Sequence, residues 1–296
     1  MISRFAILLA ALATVSFPVA AELAITDDTG NQLKLAGPAQ RIVSLAPHVT
    51  ETLFAAGAGE RIVGTVDYSD FPEAAKSLPR VGGYSRFDLA AGAALKPDLV
   101  IGWESGNAPA SIAKLRRLGL PVYLTQANRI EDIAKSLQDF GRLAGTEATA
   151  NAAAARFRAR YAQLAARYSK RPQLRVFYQI WKQPLMTING KQIISDVIRL
   201  CGGENIFADL PVLTPKITVE GVIASNPDVI IASGMGDARP EWLDDWKRWT
   251  SMTAVAQDNL YFVPPQLIQR HIPRILDGAE QFCQHLETAR AKLGKK

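Results

Sequence analysis

One phrase occurs twice in this chain, and it restricts the fold more than any other feature. Lys96-Pro97-Asp98-Leu99-Val100-Ile101 is answered in the second half by Asn226-Pro227-Asp228-Val229-Ile230-Ile231. In each copy a Pro-Asp turn feeds an aliphatic run, the pattern of a strand buried on both faces. Similar short apolar runs lie at 41–45, 62–66 and 121–124, and again at 174–178 and 260–263. Helical stretches separate them: one capped by Thr50 and ending at Gly57, one at 110–118 closed by Gly119, one at 193–201 closed by Gly202-Gly203, and a last one at 275–293. Strands alternating with helices predict an α/β fold with mostly parallel sheets. The doubled phrase predicts two similar lobes.

Between the halves the pattern changes. Residues 130–143 form one amphipathic helix, and a second is predicted from an N-cap at Thr146 to about Ser169, where Lys170-Arg171-Pro172 ends it. At 1.5 Å per residue this second helix is a rod of roughly 35 Å. It reads as a strut joining a first lobe (22–127) to a second (173–296), with 128–172 as the connection. A ligand cleft is expected between the lobes, where loops leave the strand ends. The entry segment 22–40 reads as a hairpin turning at Asp27-Asp28-Thr29-Gly30-Asn31.

Residues 1–21 carry Arg4, an apolar run from Phe5 to Phe17, and a small-residue end at Ala20-Ala21. That is the pattern of a cleaved secretory signal peptide, too short for a spanning helix. An exported, soluble protein is therefore expected. Export bears on Cys201 and Cys283, the 2 cysteines of the chain. An oxidising compartment favours joining them, with two buried thiols as the alternative. There is no CxxC, and His48, His271 and His285 have no ligand spacing, so no resident metal or cofactor is expected.

The usual enzymatic signatures are missing: no GxSxG, no HExxH, and no complete dinucleotide fingerprint at Gly57-Ala58-Gly59. With 34 basic against 28 acidic residues and no basic block, a nucleic-acid partner is not indicated. What stands out is aromatic residues in polar, glycine-rich loops after strands: Tyr68, Tyr84, Trp103 and, after Gln179-Ile180, Trp181. Flat rings on a cleft rim cover a broad, partly apolar ligand with little loss of side-chain freedom. Trp242, Trp246 and Trp249, near helical spacing, read instead as packing.

Several phrases carry a resemblance: Ser44-Leu45-Ala46-Pro47-His48-Val49-Thr50-Glu51, Tyr68-Ser69-Asp70-Phe71-Pro72, the Pro-Asp strand phrase, Cys201-Gly202-Gly203-Glu204-Asn205-Ile206-Phe207 and Pro273-Arg274-Ile275. By these the chain resembles, over about 41–292, the periplasmic substrate-binding proteins of ABC importers for corrinoids, haem and ferric siderophores. The Tyr-Ser-Asp and Cys-Gly-Gly-Glu phrases are similar to those of its cobalamin-binding members. The resemblance implies a monomeric, non-enzymatic protein with a single-helix strut that allows only a small hinge, and a Cys201–Cys283 disulfide. The implied ligand contacts are Tyr68, Tyr84, Trp103, Ile180, Trp181, Gln266 and Arg270, with His48 nearby. Tyr84 stands where the family has Trp, Gln266 where it has Asp, and Thr214 where it has another Trp. The implied docking groups toward the permease are Glu220 on the second lobe and, because Ala90 occupies the matching place on the first, Asp88. Haem is the main rival ligand, through Tyr84 with His48 or Arg86, followed by ferric siderophores. A secreted hydrolase with a pocket carboxylate pair is the rival from another class.

Overall fold

The computed structural model describes residues 22–234, 236 and 238–295; the signal peptide expected at 1–21 lies outside them. The chain opens on an antiparallel hairpin, β1 (Leu23–Thr26) and β2 (Gln32–Leu35), closed by the Asp27 carboxylate, which accepts from the Thr29 and Asn31 amides at 2.9 Å each. Four parallel strands follow: β3 (Ile42–Ser44), β4 (Ile62–Gly64), β5 (Leu99–Trp103) and β6 (Val122–Thr125), ordered β4-β3-β5-β6. Helices α1 (Pro47–Ala55), α2 (Leu89–Ala94) and α3 (Pro109–Arg117) connect them. Then α4 (Asp132–Ala144) packs on the 22-residue α5 (Glu147–Tyr168), about 33 Å long at the usual rise.

Beyond α5 come β7 (Leu174–Gln179), α6 (Ile193–Leu200), β8 (Gly203–Asn205), α7 (Val219–Ser225), β9 (Val229–Ala232), α8 (Thr253–Ala256), β10 (Leu260–Phe262), α9 (Pro265–Ile268) and α10 (Ile275–Lys292). The second sheet is also parallel and runs β8-β7-β9-β10. Both sheets therefore place their second strand outside the first and their third and fourth on the other side. Each has its switch point between first and third strands, where crevices open at the strands' carboxyl ends.

The doubled phrase is explained at the opposite ends of the strands. Asp98 accepts from the Gln40 and Arg41 amides at 2.8 and 2.9 Å, while the Arg41 side chain donates to the Leu95 carbonyl. Asp228 does the same for the Arg175 amide at 2.9 Å, and Arg175 donates to the Ser225 carbonyl. Each aspartate sets the starting register of two neighbouring strands. The repeat is architectural and lies away from the cleft.

Three apolar clusters result. One packs the outer face of each sheet; the third is continuous through both lobes, running from Ile42, Ile101 and Tyr123 through Phe157 and Leu164 of α5 to Tyr178, Ile231 and Phe282. Trp246 is buried against Phe177 and donates to Gln179 at 2.8 Å, so the tryptophan triplet belongs to packing. Among the described residues no helix is long and apolar enough to cross a membrane.

One capping expectation is corrected. The helix after β3 starts at Pro47, not at Thr50, because proline suits the first helical position and needs no amide partner there. Thr146 stands at the N-cap of α5 as expected, but its hydroxyl makes no cap hydrogen bond; it donates to the Ala56 carbonyl at 2.8 Å and ties α5 to the end of α1. Cys201 and Cys283 are joined, linking the end of α6 to α10 across 82 residues. Closing a loop of that length restricts the unfolded chain strongly, so Cys201→Ser with Cys283→Ser is expected to lower the unfolding free energy by about 2–4 kcal/mol, read from urea denaturation.

Candidate ligand-binding cleft

The first lobe presents its aromatic residues on loops fastened from below. The loop 67–72 is anchored by a buried hydroxyl chain: Ser44 to Thr50 at 2.8 Å, Thr50 to Thr65 at 2.6 Å, and Thr65 to Ser69 at 2.8 Å. Arg80 adds hydrogen bonds to the Val66 and Ser69 carbonyls, both at 2.9 Å. Between these anchors Tyr68 takes a left-handed backbone with φ of 63°, uncommon for a non-glycine residue, and its side chain is 76% exposed. An apolar ring held outward on a strained, well-anchored turn is a feature of binding sites.

Asn107 organises the neighbouring rings. Its side-chain carbonyl accepts from the Trp103 amide at 2.6 Å, and its amide donates to the carbonyls of Leu45 and Tyr84 at 2.9 and 2.7 Å. It thereby joins the ends of β3 and β5 to the Tyr84 turn. Gly106 completes the turn, since a β-carbon there would run into the Trp103 ring. Tyr84 and Trp103 lie 5.7 Å apart, with Tyr84 exposed at the rim and Trp103 half-buried below it.

His48 is not at the rim. It is buried at the first turn of α1, edge-on to Trp103 at 5.0 Å and to His271 at 5.3 Å. His271 also meets Trp103 at 5.7 Å, so three rings from both lobes form the cleft floor. Burial, with the charge of nearby Arg270 and the proximity of His271, holds the His48 imidazole well below its ordinary range; burial brings His271 down to about 4.

On the second lobe, Trp181 is 37% exposed at the end of β7, with its indole N–H held by the Gln183 carbonyl at 2.9 Å, and Ile180 is half-buried beside it. Helix α9 supplies Gln266, and the turn from it to α10 supplies Gln269, Arg270, His271 and Arg274. Buried side-chain atoms lacking a protein partner gather here: Gln266 Oε1, Gln269 Nε2, His271 Nδ1 and Trp103 Nε1. Buried polar atoms are rarely left without partners.

Two arginines of this turn cross to the first lobe. Arg274 grips Glu51 with two hydrogen bonds, 2.6 and 2.8 Å, and lies 3.7 Å over the Phe71 ring. Arg270 holds Asp70 at 2.9 Å and reaches the Tyr68 carbonyl at 3.3 Å. Burial raises the Glu51 carboxyl despite Arg274. For Asp70 the upward push of burial is outweighed by the hydrogen bond and charge of Arg270, which hold it below the ordinary range. Such separation occurs in catalytic carboxylate pairs, but here both Glu51 oxygens are held by Arg274 and the residue is almost inaccessible. It is a joint between lobes. Glu51, Asp70 and Arg274 stand in the family phrases quoted above; their pairing, across some 200 positions of chain, has no local signal.

The two docking residues differ in setting. Glu220 is exposed in the first turn of α7, whose N-cap is Thr218. Asp88 occupies the N-cap of α2, where one oxygen accepts from the Ala90 and Ala91 amides at 2.8 and 3.1 Å. In the repeated architecture Asp88 thus matches Thr218, and Ala90 matches Glu220.

This fold, with rings lining a crevice between two parallel-sheet lobes on one helical strut, defines a bilobal solute-binding protein. The chain belongs to the periplasmic binding protein family, whose model matches residues 42–267. It is 36% identical over 253 residues, 85% of this chain and 91% of the relative, to the vitamin B12-binding protein of Vibrio cholerae. It is 35% identical over 248 residues to that of Yersinia pestis, covering 84% and 86%. The crystal structure of the periplasmic vitamin B12-binding protein BtuF of Vibrio cholerae superposes with a TM-score of 0.79 at 35% identity, over 86% of this chain and 98% of that one. The periplasmic haem-binding protein RhuT of Roseiflexus shares the fold, with a TM-score of 0.72 at 24% identity, over 84% and 98%.

Two outcomes are expected. Arg274→Met leaves the Glu51 carboxylate buried and unpaired and should cost about 3 kcal/mol, while adding Glu51→Leu should recover stability to within about 1 kcal/mol of the native protein. Depressed imidazoles bind protons more readily when unfolded, so their contribution is complete above about pH 6.5 and lost as pH falls. Stability should decline between about pH 6.5 and 4, by up to about 3 kcal/mol for His271 alone, and His271→Phe should flatten the decline in denaturation measured across that range.

Proposed function

We propose that this protein captures cobalamin, or a related corrinoid, in the cleft between its lobes and delivers it to an ABC importer at the membrane. The observation that carries the reading is the set of exposed rings on loops after strands, Tyr68 and Tyr84 on the first lobe, with Tyr84 against Trp103, and Trp181 on the second. Such a set suits the broad faces of a corrin, and the named function of the Vibrio and Yersinia relatives agrees with it. The Arg270 donors left over from Asp70 and the Tyr68 carbonyl suit a rim of neutral carboxamides. Export to the periplasm and action as a single copy fit the same reading. Binding here is desolvation and shape matching, with no covalent step.

Docking on the permease would use Glu220, which is exposed and free to meet a basic partner, whereas Asp88 is engaged at its helix end. One rim carboxylate chiefly governs encounter and orientation. The haem alternative has less support. Tyr84 and Arg86 are exposed on one turn, but His48 is enclosed behind Trp103, away from any iron held at the rim.

Calorimetric and visible titration of the purified protein with cyanocobalamin, dicyanocobinamide and haemin tests the proposal. Tight corrinoid binding without a haem band is expected; haem binding with no corrinoid uptake would overturn it. Tyr68→Ala should weaken corrinoid binding by about 1–3 kcal/mol with little effect on folding, since that ring packs on little. Trp103, packed into the floor, is better tested as Trp103→Phe, with a smaller loss.

A further inference from the structure

The second lobe sends two guanidinium groups into the cleft, and a first-lobe carboxylate meets each. Arg274 is consumed by Glu51 and Phe71. Arg270 is different. Its carboxylate partner is exposed where Glu51 is buried, its own side chain keeps about a fifth of its surface open (21%), and it makes two hydrogen-bonded contacts, to Asp70 and to the Tyr68 carbonyl. A guanidinium has five N–H donors, so several remain for a ligand.

Left unpaired, a guanidinium in that place is a strong receptor for carboxylate or phosphate, through charge and two-pronged geometry. Paired with Asp70 it adds no net charge to the cleft, yet still donates to neutral carbonyl oxygens. The Asp70 side chain is itself 54% exposed, so its negative charge also faces whatever approaches Arg270. This second-lobe cation is thus neutralised by an acid that lies 200 positions away in the chain and serves no helix end or strand register.

We infer that Asp70 is a specificity-determining residue: by neutralising Arg270 it makes the cleft select a corrin rimmed with carboxamides over the same ring rimmed with carboxylates. The inference rests on the corrinoid reading and assigns to one side chain the discrimination between neutral and anionic tetrapyrrole-like discs. Asp70 acts on the ligand through Arg270 and through its own field.

A matched pair of ligands tests it: dicyanocobinamide, with carboxamide arms, and dicyanocobyrinic acid, the same ring with carboxylate arms. Both are titrated calorimetrically at low salt into the native protein, Asp70→Asn and Asp70→Glu. Arg86 at the rim is common to all three proteins and cancels in the comparison. The native protein should prefer the amide by about tenfold or more, since like charge penalises the acid. Asp70→Asn should shrink that preference at least about threefold, mainly by tightening the acid, and Asp70→Glu should restore it. An unchanged preference in Asp70→Asn, an equal weakening of both ligands, or a Glu variant behaving like the Asn variant would overturn the inference while leaving corrinoid binding intact. A native protein that binds neither ring would overturn the inference and the corrinoid reading together.

Discussion

The arrangement of this molecule depends on one apolar core that belongs to neither lobe alone. Side chains of the first sheet, the strut and the second sheet pack into a single cluster, so a wide swing of the lobes would open close-packed interior to water. The separation of the two rims is therefore largely fixed by the core and trimmed at the seam. There Arg274 with Glu51 and Arg270 with Asp70 join the α9–α10 turn to the first lobe. The first, largely buried, adds little net stability because desolvation offsets attraction, and the second, with Asp70 exposed, is screened by water; both define geometry.

On that fixed frame the aromatic rim is held ready. Exposed rings normally collapse onto apolar surface, and a ligand must then undo the collapse. Here the Tyr68 loop is fastened by buried hydroxyls and Arg80, and Tyr84 and Trp103 are tied through Asn107. Under the proposed reading the rings would lose little further freedom on seating a disc, which is how preorganisation raises affinity without added contacts. The residues that accomplish this are small and polar, and they lie beneath the rings.

Much of the scaffold was legible in the chain. Long aliphatic runs after Pro-Asp turns mark β5 and β9 because such runs fit only strands covered on both faces, and the strut announces itself by length and alanine content. Short elements escaped: α2, α7, α8, α9 and β8 hold too few residues to show a period. Thr50 was misread because threonine before an apolar run resembles a cap, whereas Pro47 had already begun the helix. Of the cleft, the aromatic positions could be read from their polar neighbours. The cross-lobe ion pairs, the supporting role of Asn107 and the floor made by His48 with His271 could not, since each depends on contacts between distant segments.

The same strand order in both lobes makes their differences informative. The first lobe contributes rings on serine-, threonine- and asparagine-anchored loops, together with both seam carboxylates; the second contributes Trp181 and the two arginines of one turn. A cleft built from two copies of one lobe would carry like groups on both rims, and like charges facing each other across a narrow gap repel. Arginines in the α9–α10 turn, opposite Glu51 and Asp70, put attachment in place of that repulsion. The same pairs make the seam polar but locally neutral beneath exposed rings, the combination on which the proposed choice of an uncharged, amide-edged corrin rests.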